Sequence, residues 1–379
     1  MTAPHARDHR RTTDLRTPLR RAARLARRAA GAFATGVLLF LALTPTGCYL
    51  SRAGWEEAKI LRARQPIARL VADSARVRPA VRAKLALVLD ARRFAADSIG
   101  LRVEDSFTQY TQLERDTLVL VLSGAHRDRL AMHTWWFPVV GRVPYKGYFD
   151  YGAARAAARR LRDRGFDVAL RPAAAFSTLG WFNDPLLSTT LALDSIGLAN
   201  TVIHEVTHST FYAPGQAVFN ESFANFVGAR GAEWFFRARG QPAAVEAARA
   251  DWRNDLALSA FWTGVYDELD SAFKANPDDR AARLRAREAV YARARQRLRA
   301  EVAPRLTNYP PGWADRVALD NASLLSRRVY LTDLWLFDAV YEREGRDLKR
   351  TIARVIALAK ARPREPYAAL RDWVGATVD

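Results

Sequence analysis

Two histidines four residues apart, His204 and His208, bracket Glu205 in the run Thr201-Val-Ile-His-Glu-Val-Thr-His208. The run is apolar and compatible with a helix. On an α-helix residues i and i+4 share a face, so both imidazoles can point at one spot. Such a pair supplies two ligands for a zinc ion, and a glutamate beside the first histidine stands where the general base for an activated water belongs. Twelve residues beyond His208 begins Asn220-Glu221-Ser222-Phe223-Ala224, which offers the Glu221 carboxylate as a third ligand. The chain has only six histidines, four of them beyond residue 47 (His126, His133, His204, His208). That two of those four fall at ligand spacing, with a carboxylate close behind, favours a site over a structural histidine pair.

The spacing also says how these residues must be held. A helix is expected from about Ser195 to Tyr212, entered at Asp194 and stopped by Ala213-Pro214-Gly215. Asn220 reads as the N-cap of the next helix. The result is an antiparallel helical hairpin with His208 in the last turn of one helix and Glu221 in the first turn of the other. Three protein ligands leave one zinc position for water, whose pKa then falls toward about 7. Glu205 would take that water's proton and pass it to the leaving amine. The imidazoles need further partners to fix their orientation, and Asn225 and Asp184 are the candidates. A donor for the developing oxyanion is also required. Tyr330, on a helix expected over Leu319 to Glu342, is the first choice, with Tyr145, Tyr148 and His133 as rivals. The extended zinc motif with glycine at position 211 and histidine at position 214 is excluded, since Phe211 and Pro214 stand there.

Upstream, residues 49–115 read as helical, with Pro66 and Pro79 as punctuation and a helix over Leu85 to Ala96. Thr117 to Leu122 and Met132 to Val140 have strand character. Gly141 to Phe149, rich in glycine and aromatics, reads as a structured loop. A helix over Gly152 to Arg164, a strand over Asp167 to Arg171, a turn-rich loop over Thr178 to Pro185 and an edge strand over Leu187 to Leu193 complete the approach to the histidine helix. The edge strand could pair with an extended peptide and lay it across the metal. Beyond Glu221 the chain reads as nearly all helix, broken at Asn276-Pro277-Asp278 and Tyr309-Pro310-Pro311-Gly312. The expected class is α+β, predominantly α-helical, with a small sheet packed against the histidine helix and a helical C-terminal region.

The chain start carries a different message. Nine Arg and two Asp in residues 1–47 form a basic head, followed by an apolar run from Ala32 to Leu43 that suits a signal-peptide core. Cys48, the single cysteine, follows Thr44-Pro45-Thr46-Gly47 and reads as a lipid acceptor, with Pro45 where leucine is usual. A lipidated Cys48 would tether the body at a bacterial cell envelope, facing the periplasm. One cysteine excludes internal disulfides. The expected organisation is 1–47 signal peptide and basic head, 48–116 helical, 117–240 catalytic core, and 241–379 helical and packed on the core.

The formal charge is +19, of which residues 1–47 hold +7, leaving +12. Only six of the 59 basic residues are lysines, and the arginines alternate with acids along helix-like stretches such as Asp278 to Arg299. That pattern is a solvated face, so no nucleic-acid partner is expected; attraction to anionic lipid is a minor role.

Several segments resemble a bacterial family of predicted aminopeptidases. They are Cys48-Tyr49, Gln65-Pro66-Ile67, the run from Phe137 to Phe149, Ser177 to Pro185, His204 to His208 and Phe219 to Ala224. The resemblance runs from about residue 48 to the end and is most specific in the middle third. It implies a zincin-like, gluzincin-like core with one zinc ion on His204, His208 and Glu221, Glu205 as base, a peptide substrate and a lipoprotein anchor. The expectation is therefore an envelope-bound zinc peptidase, an aminopeptidase or an endopeptidase. The rival is an inactive metal-binding envelope protein that acts by binding.

Overall fold

The computed structural model describes residues 16–137, 141–173 and 185–376. The chain divides into a first unit that ends at Lys59 and a second that begins at Ile60. The first holds α1 (Arg16–Leu43) and most of α2 (Pro45–Arg62). Among the described residues no single helix is long and apolar enough to cross a membrane. Only the bent pair Arg27–Leu43 and Thr46–Arg62 reaches that length and hydropathy together. Cys48 is a free, exposed thiol in α2.

The second unit opens with β1 (Gln65–Pro66), α3 (Ile67–Ala72) and α4 (Pro79–Phe94), which runs into a π-helical turn over Ala95–Ile99. Then come β2 (Gln109–Thr111), β3 (Val119–His126), β4 (Trp135–Phe137), β5 (Gly141–Val143), β6 (Tyr145–Tyr148), α5 (Tyr151–Asp163), β7 (Phe166–Ala173), β8 (Leu186–Leu187) and α6 (Ser188–Leu191). The helical remainder is α7 (Ser195–Thr210), α8 (Ala217–Ala238), α9 (Pro242–Lys274), α10 (Arg280–Arg297), α11 (Trp313–Arg316), α12 (Asn321–Arg328), α13 (Leu334–Arg343), α14 (Leu348–Ala361) and α15 (Pro366–Gly375). Among the described residues the chain is thus predominantly helical with three small sheets, ordered β1-β2-β8, β6-β3-β7 and β4-β5.

Four expectations change. Residues 141–149 are not a loop: β5 pairs with β4 and β6 with β3, both antiparallel. Turn-forming glycine is compatible with a strand where a neighbouring backbone supplies the ladder. The edge strand over Leu187 to Leu193 is also absent. β8 has two buried residues, paired parallel to β2, and α6 follows at once. The carbonyls of Leu191 and Leu193 accept from Lys84 Nζ at 2.9 and 2.6 Å, so they are not open to a peptide. The helix over Leu319 to Glu342 is two helices, α12 and α13, parted by a turn in which Asp333 has φ 48°. There Thr332 Oγ1 donates to the Arg328 carbonyl at 2.5 Å and the Thr332 N–H donates to Ser222 Oγ at 3.3 Å. Side-chain bonds of this kind compete with the helical ladder. Finally, the β6-β3-β7 sheet packs mainly on α5 and α12, while α7 packs mainly on α8 and α4.

The core forms around α7 and α8. Leu198, Ala199, Val202, Ile203 and Val206 of α7 are buried with Leu85, Val88 and Ala91 of α4. On α8, Phe219, Phe223 and Phe226 recur at helical spacing, and Phe223 and Phe226 stack on Phe337 of α13, each with centroids 5.8 Å apart. Burying aromatics of this size contributes roughly 2–3 kcal/mol apiece, so α8 is fixed on one side by α13 and on another by α7.

Candidate metal centre

Both ends of α7 are pinned. The Asp194 carboxylate caps its start by accepting the Gly197 N–H at 2.7 Å. At its end, the Arg102 N–H donates to Thr210 Oγ1 and the Arg102 guanidinium to the Thr210 carbonyl, both at 2.9 Å. Gly228 and Gly231 let α8 lie close: a Cβ on Gly228 would stand 2.9 Å from the Asn200 backbone oxygen and 3.1 Å from His204 Cβ.

Asn220 is not an N-cap. α8 begins at Ala217, four residues earlier than the amide suggested, because Asn220 has another use. Its Oδ1 accepts the Ala213 N–H at 2.8 Å, and its Nδ2 donates to the Ala213 carbonyl at 2.9 Å. The buried amide clamps the connection between the helices and so sets where Glu221 sits.

His204, His208 and Glu221 each present a ligand atom, all within 4.8 Å of one another. His204 Nε2 lies 3.4 Å from Glu221 Oε2, and His208 Nε2 lies 3.8 Å from Glu221 Oε1. The imidazoles meet edge to face with centroids 5.1 Å apart. All three side chains are half-buried, whereas Glu205 on the same helix is exposed.

Burial disfavours charge on each group. For His204 it is outweighed by the hydrogen bond to Glu221 and the charges of Glu205 and Glu221, so its pKa rises. His208 is depressed to about 4, by burial and then by the charge on His204. Glu221 goes down despite burial, through its bond to His204 and the positive charges of His208, His204 and Arg171. An ionised carboxylate, a neutral imidazole and a second imidazole whose proton a cation can displace form a donor set suited to zinc.

The remaining candidates divide. Tyr330 stands in the turn between α12 and α13. Burial, followed by the charge of Glu221, pushes its hydroxyl up to about 12, and Glu205 adds to this, so Tyr330 lies within reach of the site's charges. Tyr145 in β6 also feels them, raised by burial and then by Glu221. Tyr148 packs instead with Leu122, Ala157, Ala158 and Leu161 beneath α5, and His133 lies against Trp135 and Phe166. Asn225 does not bond an imidazole in the structure. Its Nδ2 donates to Asp255 Oδ2 at 3.4 Å and to the Tyr330 carbonyl at 3.5 Å. Asp184 lies outside the described residues.

Two residues near the site had no signal in the sequence. The Arg171 guanidinium, from the end of β7, lies 5.9 Å from the Tyr330 ring centre, and its charge reaches Glu221. Asp255 of α9 meets Asn225, and burial pushes its carboxyl up to about 7, with the charge of Asp251 adding to the effect. Each arrives through tertiary packing from a segment without a motif.

A family model described as Putative aminopeptidase matches residues 48–370, and the chain belongs to that family. Comparison with curated proteins and with solved structures gives no match.

Proposed function

We propose that this member of the Putative aminopeptidase family is a zinc-dependent peptide hydrolase held at a bacterial cell envelope. The convergence of His204, His208 and Glu221 on one point, with Glu205 exposed one residue from a ligand, carries this reading. A divalent ion on those three side chains would acidify a water and polarise the scissile carbonyl. Glu205 accepts a proton from the attacking water as its oxygen bonds to the carbonyl carbon. It then delivers that proton to the nitrogen as the C–N bond breaks, leaving a carboxylate and a free amine. Tyr330 and Tyr145 keep their protons at neutral pH, since both hydroxyls titrate above the ordinary tyrosine value. Tyr330 is the donor we assign to the oxyanion, and Arg171 beside its ring supports negative charge there. The family match begins at Cys48, which supports reading residues 1–47 as a leader and Cys48 as the lipidated anchor.

The deciding experiment is Glu205→Gln in the purified protein. Zinc content should stay at wild-type level while hydrolysis of a peptide library falls by about 10²–10⁴-fold. Equal turnover by the two proteins would overturn the assignment. Cys48→Ser should abolish incorporation of labelled fatty acid; persistent labelling would remove the anchor.

A further inference from the structure

Half-buried arginines in this chain are generally engaged. Arg230 meets Asp338 at 2.7 Å and Glu233 at 3.0 Å. Arg283 donates to the Asp128 carbonyl at 3.0 Å, Arg295 to the carbonyls of Ala314 and Val317, and Arg328 to Thr263 Oγ1 at 3.2 Å. Arg82 and Arg327 are exceptions. Among the described residues neither side chain forms an ion pair or donates a hydrogen bond. The two differ in access. Arg82 Nε is sealed from solvent, whereas no nitrogen of Arg327 is sealed and unpartnered in that way. The Arg327 guanidinium lies on the ring of Trp262, 5.2 Å from its centre, with its donors open to a ligand.

The fold puts a second such arginine next to it. α12 packs on β7, and Arg171 stands near the end of that strand. Burial and the charge of Arg171 hold Arg327 below the ordinary arginine value, so each guanidinium lies in the field of the other. Arg171 is exposed, and among the described residues it too meets no carboxylate. Both arginines are tied to the metal centre through Tyr330. The Arg171 guanidinium is 5.9 Å from the Tyr330 ring centre and its charge reaches Glu221. The Arg327 carbonyl accepts the N–H groups of Tyr330 and Leu331, both at 3.1 Å. Two cations held together without an anion carry a cost that a bound anion relieves. Guanidinium forks match the two oxygens of a carboxylate, and carboxylates are the fixed anions that a peptide carries.

We propose that Arg327 and Arg171 form an anion subsite beside the metal centre and hold a carboxylate of the bound peptide, either the C-terminal carboxylate of a short peptide or an acidic side chain near the scissile bond. The inference rests on the peptidase reading and narrows it: the favoured substrates are short or acidic peptides.

The test is calorimetry on zinc-loaded Glu205→Gln protein with two matched pairs of peptides. One pair is trialanine and its C-terminal amide; the other is Ala-Glu-Ala amide and Ala-Gln-Ala amide. One acid should bind about 10-fold or more tightly than its neutral partner, the worth of a charge-assisted contact. A preference in the first pair assigns the C-terminal carboxylate, and one in the second assigns the acidic side chain. Adding Arg327→Met should bring the ratio close to one, and Arg327→Lys should restore part of it. Arg328→Met is the control for the general positive field and should keep the preference, since Arg328 already meets Thr263. Equal binding of acid and neutral partner in both pairs overturns the subsite, as do equal losses of preference in Arg327→Met and Arg328→Met. Should Arg327→Met not fold, Arg171→Met takes its place, and a preference that survives it is equally fatal. Turnover of these peptides by the protein with Glu205 intact, but without a preference, removes the subsite and leaves the hydrolase standing. Arg327-dependent binding with no turnover does the opposite.

Discussion

Gly228 of α8 faces the backbone carbonyl of Asn200 in α7 across a gap that a methyl group cannot occupy: its Cβ would lie 2.9 Å from that oxygen. The same Cβ would crowd His204 Cβ at 3.1 Å. The glycine therefore sets the helix spacing on which the His204 to Glu221 distance depends. Gly228→Ala should destabilise the protein by about 1–3 kcal/mol, the usual cost of overpacking, and weaken zinc binding at least tenfold. Gly231→Ala is the control. Its added methyl meets mainly the side chains of Ile203 and Ile99, so stability should fall with zinc affinity nearly kept. Denaturant unfolding and zinc titration of both variants check this; equal effects on zinc would sink it.

Glu221→Ala removes one of the three proposed ligands and the partner of His204. Zinc affinity should drop by at least about 100-fold, more than the loss of an outer partner costs. Unfolding without metal should change far less, because Glu221 is half-buried and faces the site rather than the aromatic core. Metal content of wild type and variant after dialysis against a weak chelator gives the answer. Retained stoichiometric zinc would remove Glu221 from the ligand set.

Asn220 offers a sharper test of how the site is built. Asn220→Ala leaves the buried Ala213 N–H without its acceptor, while the Ala213 carbonyl loses one donor and keeps the Gln216 N–H at 3.1 Å. One buried orphan donor costs about 1–3 kcal/mol, so the variant should lose about that much. It should also bind zinc more weakly, although residue 220 is no ligand, because the clamped connection joins His208 to Glu221. Unchanged zinc affinity in a destabilised variant would show that the clamp serves the fold alone.

These residues show what a sequence reveals and what it hides. His204 and His208 were legible because helical spacing fixes their relation without help from the rest of the chain, and Glu221 because one short connection brings α8 back alongside. The same local logic misread Asn220. An asparagine before an apolar run looks like a cap, but the Ala213 backbone it satisfies lies seven residues upstream. The turn holding Tyr330 was invisible, since bonds to Ser222 from a distant helix and a left-handed Asp333 impose it on a helix-forming stretch. Composition alone reads as loop over β5 and β6, because their pairing depends on β4 and β3. Arg171 and Asp255 reach the site only once β7 and α9 have docked, so no spacing rule could place them there.

Asp255 also gives a pH dependence of stability whose sign is opposite to that of a salt-bridged carboxylate. Burial, and then Asp251, raise its folded pKa to about 7, against about 3.9 in an unfolded chain. Between those values the folded protein holds a proton that the unfolded chain has released, so stability falls as pH rises through the window. The full shift corresponds to at most about 4 kcal/mol. Asp255→Asn removes the titration while keeping the shape. It should therefore resemble wild type near pH 4 and be the more stable protein at pH 8, by up to that amount. Denaturant midpoints of both proteins at pH 4 and pH 8 provide the comparison. A carboxylate retained for structure would give the reverse, with the variant weaker at pH 8.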